Sequence, residues 1–131
     1  MKLLENPHER YGPLPEWQEA DKLLNPHPHL RTHQGAEEYL EKHIQRVEHL
    51  YKLLTDQGGG IWGLLQRAKA PKQFTNTVRA LRMLMVWHQS DAQVLAHMQQ
   101  RLEERLQQHE GLKSHYLYLL SQLEEAGQGN R

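Results

Sequence analysis

The stretch Ala36-Glu37-Glu38-Tyr39-Leu40-Glu41-Lys42-His43-Ile44-Gln45-Arg46-Val47-Glu48-His49-Leu50-Tyr51-Lys52-Leu53-Leu54 sets apolar residues three and four apart. Ala36, Leu40, His43 or Ile44, Val47, Leu50 and Leu54 fall on one stripe of a helix, with Glu37 and Glu38 in its first turn. This predicts an amphipathic helix from Ala36 to about Gln57. Gly58-Gly59-Gly60 ends it, because three glycines carry a high backbone-entropy cost in a helix and allow a sharp reversal.

Beyond the glycines, a short helix from Ile61 to about Ala68 is expected to turn Ile61, Trp62, Leu64 and Leu65 inward before Pro71 stops it. The next helix, about Gln73 to Gln89, places Phe74, Val78, Leu81, Met85 and His88 on one face and Lys72, Thr75, Asn76, Arg79 and Arg82 opposite. Ser90-Asp91-Ala92-Gln93 reads as a cap opening a long helix toward Ala126. Its seam is Leu95, Met98, Leu102, Leu106 or Arg105, His109, Leu112, Tyr116, Leu119 or Leu120, and Leu123. Gly111 interrupts it and predicts a kink or a break there.

Upstream, residues 1–35 hold five of the six prolines, so only a short helix fits, from Pro15 to Asn25, with Trp17, Ala20 and Leu24 on its buried face. Strand-favouring residues are scarce and mean hydropathy is −0.86, which suits long two-faced helices. The expected fold is therefore all-α: a four- or five-helix bundle over 36–126, an extended Pro- and His-rich arm over 1–35, and a disordered tail over 127–131. Without cysteine there is no disulfide, thiolate zinc site or cysteine nucleophile. Neither the apolar core of a signal peptide nor the roughly 20 apolar residues of a membrane span occurs, so a cytoplasmic protein without membrane partners is expected.

Charge is unevenly spread. Sixteen Lys and Arg balance sixteen Asp and Glu, yet the 34 residues between Asp56 and Asp91 contain no acid and five cations. Like charges that cluster add instead of cancelling, giving a local positive potential. Arg67, Lys69, Lys72, Gln73, Thr75, Asn76, Arg79 and Arg82 gather about the expected helix start, where unpaired amides, a hydroxyl and arginine forks suit phosphate. Helices on either side of Pro71 also have the outline of a helix-turn-helix. The expected function is a small non-catalytic binding subunit or adaptor on nucleic-acid backbone, RNA or DNA. The alternative is a protein adaptor that docks an acidic partner or a larger assembly, with Tyr116, Tyr118, Leu119 and Leu120 as a further docking patch. A plain solvated face, its arginines paired with Glu37, Glu38, Glu41 or Glu103, needs no function at all.

Ten histidines suggest two other chemistries. His27-Pro28-His29 with His33 could offer imidazoles to zinc or nickel, although no carboxylate stands nearby and no metal-binding spacing occurs, so no cofactor is expected. His43, His88 and His109 lie on apolar seams, where a hydrogen-bonded core histidine is the usual explanation. Arg82 and His88, five residues apart on the basic helix, look like the Arg-x4-6-His signature of HEPN ribonucleases, small all-α domains. That resemblance implies proton transfer by His88 and phosphate binding by Arg82, but it covers two residues, and Met83 stands where that family prefers a polar one.

Overall fold

The computed structural model describes residues 6–55 and 59–128. Among these are six helices and no strand: α1 (Pro7–Tyr11), α2 (Trp17–Leu24), α3 (His33–Thr55), α4 (Gly60–Trp87), α5 (Ala92–Leu106) and α6 (Lys113–Gln128). Short 3-10 turns, Pro28–Arg31 and Glu110–Leu112, precede α3 and α6. The all-α helical expectation holds. Residues 1–5, 56–58 and 129–131, which include the expected helix end near Gln57 and the last three residues of the expected tail, lie outside the described residues.

Helices α3 to α6 close a ring: α3 packs on α4 and α5, and α6 packs on α4 and α5. Leu40, Ile44, Phe74, Leu81, Met85, Met98, Leu102, Tyr116 and Leu119 fill its centre, each at most 1 % exposed. The arm is docked on this ring, with α2 against α4, the first 3-10 turn against α3 and α1 against α6. Tyr11, Ala20, Leu24 and Leu30 join the same core, whereas Trp17, expected to be buried, stays partly exposed.

Local chemistry explains where the helices begin. The Thr32 hydroxyl accepts from the Gly35 amide at 2.9 Å, an N-cap bond that starts α3 at His33 instead of Ala36. Gly35 is required there, since a Cβ would sit 1.9 Å from the His29 carbonyl oxygen. Asp91 caps α5 by accepting from the Gln93 and Val94 amides at 3.2 and 3.3 Å. The C-terminal element is a hairpin, not one long helix. It turns at residues 107–112, and Gly111 lets the Tyr51 hydroxyl approach to 1.7 Å from where a Cβ would stand.

Two expectations fail in α4. Pro71 does not stop a helix; it lies half-buried inside an unbroken one of 28 residues. Its ring removes one amide bond and costs about 3 kcal/mol against Ala. Gly63 and Ala70 before it and Phe74, Thr77 and Val78 after it are buried, and that burial offsets the cost so that the helix continues through Pro71. The inward packing of Ile61, Trp62, Leu64 and Leu65 is also wrong: they are 76, 77, 62 and 50 % exposed. Helix lengths supply the reason. At a rise of about 1.5 Å per residue α4 spans about 42 Å, but α5 and α6 only about 22 to 24 Å. The α5–α6 turn reaches α3 at Glu48 and Tyr51, so the last turn of α3 and the first turns of α4 project past it.

Candidate functional site

Helix α4 presents one side to the core and the other to solvent over its first five turns. At 100° per residue, Gly63, Ala70, Phe74, Thr77 and Val78 point inward and are buried. Ile61, Leu65, Ala68, Lys69, Lys72 and Asn76 lie on the opposite side, all exposed, with Trp62 and Leu64 at its edges. The exposed side thus begins with an apolar tip and continues as a cationic stripe. Lys69 and Lys72 take part in none of the ion pairs among the described residues.

The eight residues expected to hold phosphate separate into three groups. Lys69, Lys72 and Asn76 share the outward stripe, and Arg79, also exposed, extends it to a crevice of about 350 Å³ whose far wall carries Glu16 and Glu19. Arg67, Gln73 and Thr75 are half-buried at the margins, and the Thr75 hydroxyl accepts from Arg10 at 3.3 Å. Arg82 is withdrawn from the surface.

The residue is 4 % exposed, and its guanidinium donates to the carbonyl oxygens of Tyr11, Gly12 and Pro13 at 3.0, 2.9 and 2.6 Å and to Gln122 Oε1 at 3.2 Å. It lies 5.8 Å from the Tyr118 ring centroid. Burial pushes its pKa down, against the opposing pull of Tyr118. With its donors spent on the arm, Arg82 is a clamp between α1 and the bundle rather than a phosphate ligand. The helix start expected near Gln73 is also missing. Residues 72–76 lie mid-helix, where their amides are committed to helical bonds, so neither an N-terminal anion site nor a helix-turn-helix exists there.

Most histidines are occupied. His88, 7 % exposed, pairs with the Leu30 carbonyl at 2.9 Å, and burial lowers its pKa. His43 pairs with the Tyr39 carbonyl at 2.8 Å, again with its pKa lowered by burial. His33 meets Asp91 at 2.8 Å, and His27 and His29 stack edge to face at 6.1 Å. No group of three metal-ligating side chains converges among the described residues. Arg82 and His88, the two residues that carry the ribonuclease resemblance, are both buried and bonded to backbone carbonyls.

The densest polar cluster links three helices. Glu48 on α3 accepts from Arg105 Nε at 2.9 Å, from the Tyr116 hydroxyl at 2.7 Å, and pairs with His109 at 2.9 Å. Burial alone would raise its carboxyl pKa, but the Arg105 and Tyr116 donors outweigh it and hold the carboxyl below the usual range. The Tyr116 hydroxyl is pushed far above its ordinary value, first by burial and then by Glu48. Every member has a partner, so the cluster holds α3 to α5 and α6. Tyr116, Tyr118 and Leu119 are buried and cannot form the expected docking patch.

Sequence periodicity alone did not single out two features. One is the apolar tip, since periodicity could not show that nothing covers it. The other is His115, fully buried against Phe74 and Tyr11 with neither ring nitrogen hydrogen-bonded. Comparison with protein-family models, curated proteins and solved structures finds no match.

Proposed function

We propose that this chain is a non-catalytic helical adaptor that docks an acidic protein surface through the projecting end of α4. The observation that carries the reading is the joint exposure of Ile61, Trp62, Leu64 and Leu65 beside Lys69 and Lys72. Large apolar side chains exposed side by side mark interaction sites. Tryptophan is a favoured anchor, and flanking lysines steer toward a negative partner. Aliphatic side chains gain little on a phosphate backbone, which favours protein over nucleic acid.

The test is a photoreactive side chain at the exposed position Gln66, used in intact cells. A discrete crosslinked protein, lost when Trp62→Glu and Lys72→Glu are introduced, is the expected result. Crosslinks destroyed by nuclease, or none, would sink the reading. One observation supports nucleic-acid backbone as a second reading: Lys69, Lys72 and Arg79 share one side with no acid in the intervening sequence. Three phosphate contacts would give a salt slope of about −2 to −3, abolished by Lys72→Glu with Arg79→Glu.

A further inference from the structure

A second surface complements the tip of α4. Along α5, from Ala92 to Glu103, and α6, from Leu117 to Gln128, runs an open groove of about 960 Å³. Leu95, Ala96, Leu117 and Leu120 form its floor, with Leu117 48 % exposed, and Glu103 and Glu124 stand on its rim. No residue lining it is cationic. Among the described residues, Glu103 and Glu124 accept from the neutral amides of Gln99 and Gln128. The tip is the reverse: apolar, followed by Lys69 and Lys72, within a stretch free of acids from 57 to 90.

The positions of the two surfaces decide how they can meet. The tip projects at the end of the bundle where the α5–α6 turn touches Tyr51, and the groove runs along α5 and α6 from Gln89 and Gln128 to Glu103 and Leu117. One copy cannot fill its own groove. Tip-to-tip pairing would set lysines against lysines, whereas tip-to-groove contact pairs apolar with apolar and cation with carboxylate. From Leu65 to Lys72 is about 10 Å along the helix, so the lysines can reach the rim while the apolar turns cover the floor.

From this complementarity we infer that the partner of the α4 tip is a second copy of this chain, whose α5–α6 groove receives it head to tail. The inference rests on the docking reading above. Such a contact is heterologous, because one copy contributes its tip and the other its groove; the pair is left with one free groove and one free tip, so assembly continues until it closes into a ring or runs on as a filament.

Sedimentation of the purified full chain over a concentration series provides the test. The expected mass rises with protein concentration, and rises less at high salt, which screens the rim pairs. Trp62→Glu, which spoils the tip, and Leu117→Glu, which spoils the groove, each weaken association by roughly tenfold or more. Both positions are exposed, so helical circular dichroism is expected to stay unchanged; Leu65→Glu and Ala96→Glu form a second pair. An equimolar mixture of a tip variant and a groove variant should yield a 1:1 dimer that grows no further, since one intact tip and one intact groove remain. A wild-type chain that stays monomeric, assembly that survives Leu117→Glu, or a mixture that fails to pair would each overturn the inference. Wild-type chain that remains monomeric yet co-sediments through Trp62 with phosphatidylserine vesicles would overturn it in favour of a lipid surface. A crosslink from Gln66 to a different protein would overturn the second-copy inference and leave the adaptor reading standing.

Discussion

Residues 61–65 of α4 include Ile61, Trp62, Leu64 and Leu65, while residues 83–87 are Met83, Leu84, Met85, Val86 and Trp87. At the first end the four large side chains are at least half exposed; at the second, Leu84, Met85, Val86 and Trp87 are at most 8 % exposed. Hydrophobicity does not separate them. At the second end Arg82, Trp87 and His88 bond to Gln122 of α6, Asp21 of α2 and the Leu30 carbonyl, whereas the first end outruns the shorter α5–α6 hairpin. Burial of an apolar segment depends on which neighbours reach it, and an apolar segment that none reaches is available to something else.

The contrast can be broken most severely at the enclosed end. Phe74→Ala should cost about 4 kcal/mol, because a fully buried ring leaves a cavity among rigid helices. Urea denaturation measures it; a loss under 1 kcal/mol would mean the enclosed half is loosely packed. Arg82→Ala should cost about 3 kcal/mol, since three arm carbonyls and Gln122 lose a buried donor. Limited proteolysis should then cut within residues 6–16 first, and uniform cleavage would show that Arg82 does not clamp the arm.

Acid sharpens the same comparison. Burial lowers the His115 pKa from 6.5 to about 4 in the folded chain, helped by nearby Arg10. Between those values the unfolded state binds more protons, so stability intact above pH 6.5 falls as pH drops toward 4, by about 3 kcal/mol from this residue. The denaturation midpoint of wild type should fall relative to that of His115→Phe over that interval; parallel pH profiles would remove His115 as the cause. Smallest is the effect at the tip. Trp62→Ala should change stability by less than about 0.5 kcal/mol, because the indole contributes little folded-state burial. A larger loss would place the tip inside the fold after all.

Much of the architecture could be read from residue spacing. The stripe from Ala36 to Leu54, the cap at Asp91 and the break near Gly111 each reflect local chemistry that acts wherever the chain goes. The site was harder to read. Lys69 and Lys72 emerged on one exposed side, but Arg82, alike in charge and only ten residues on, turned out to be a buried clamp because the carbonyls of Tyr11, Gly12 and Pro13 come back across the helix. No spacing rule carries that information, since the partners stand about 70 residues away.

Pro71 marks the same boundary. Locally, proline ends a helix; here, burial on both sides of it offsets that cost and α4 continues. The sequence therefore determined that this chain is helical, where it is amphipathic and that its cations are gathered between Asp56 and Asp91, because propensity, periodicity and charge depend on neighbours in the chain. Tertiary structure decided which arginine is spent inside, which leucines and tryptophans are left outside, and where a groove opens. Those outcomes depend on helix lengths and on meetings between segments far apart in the chain.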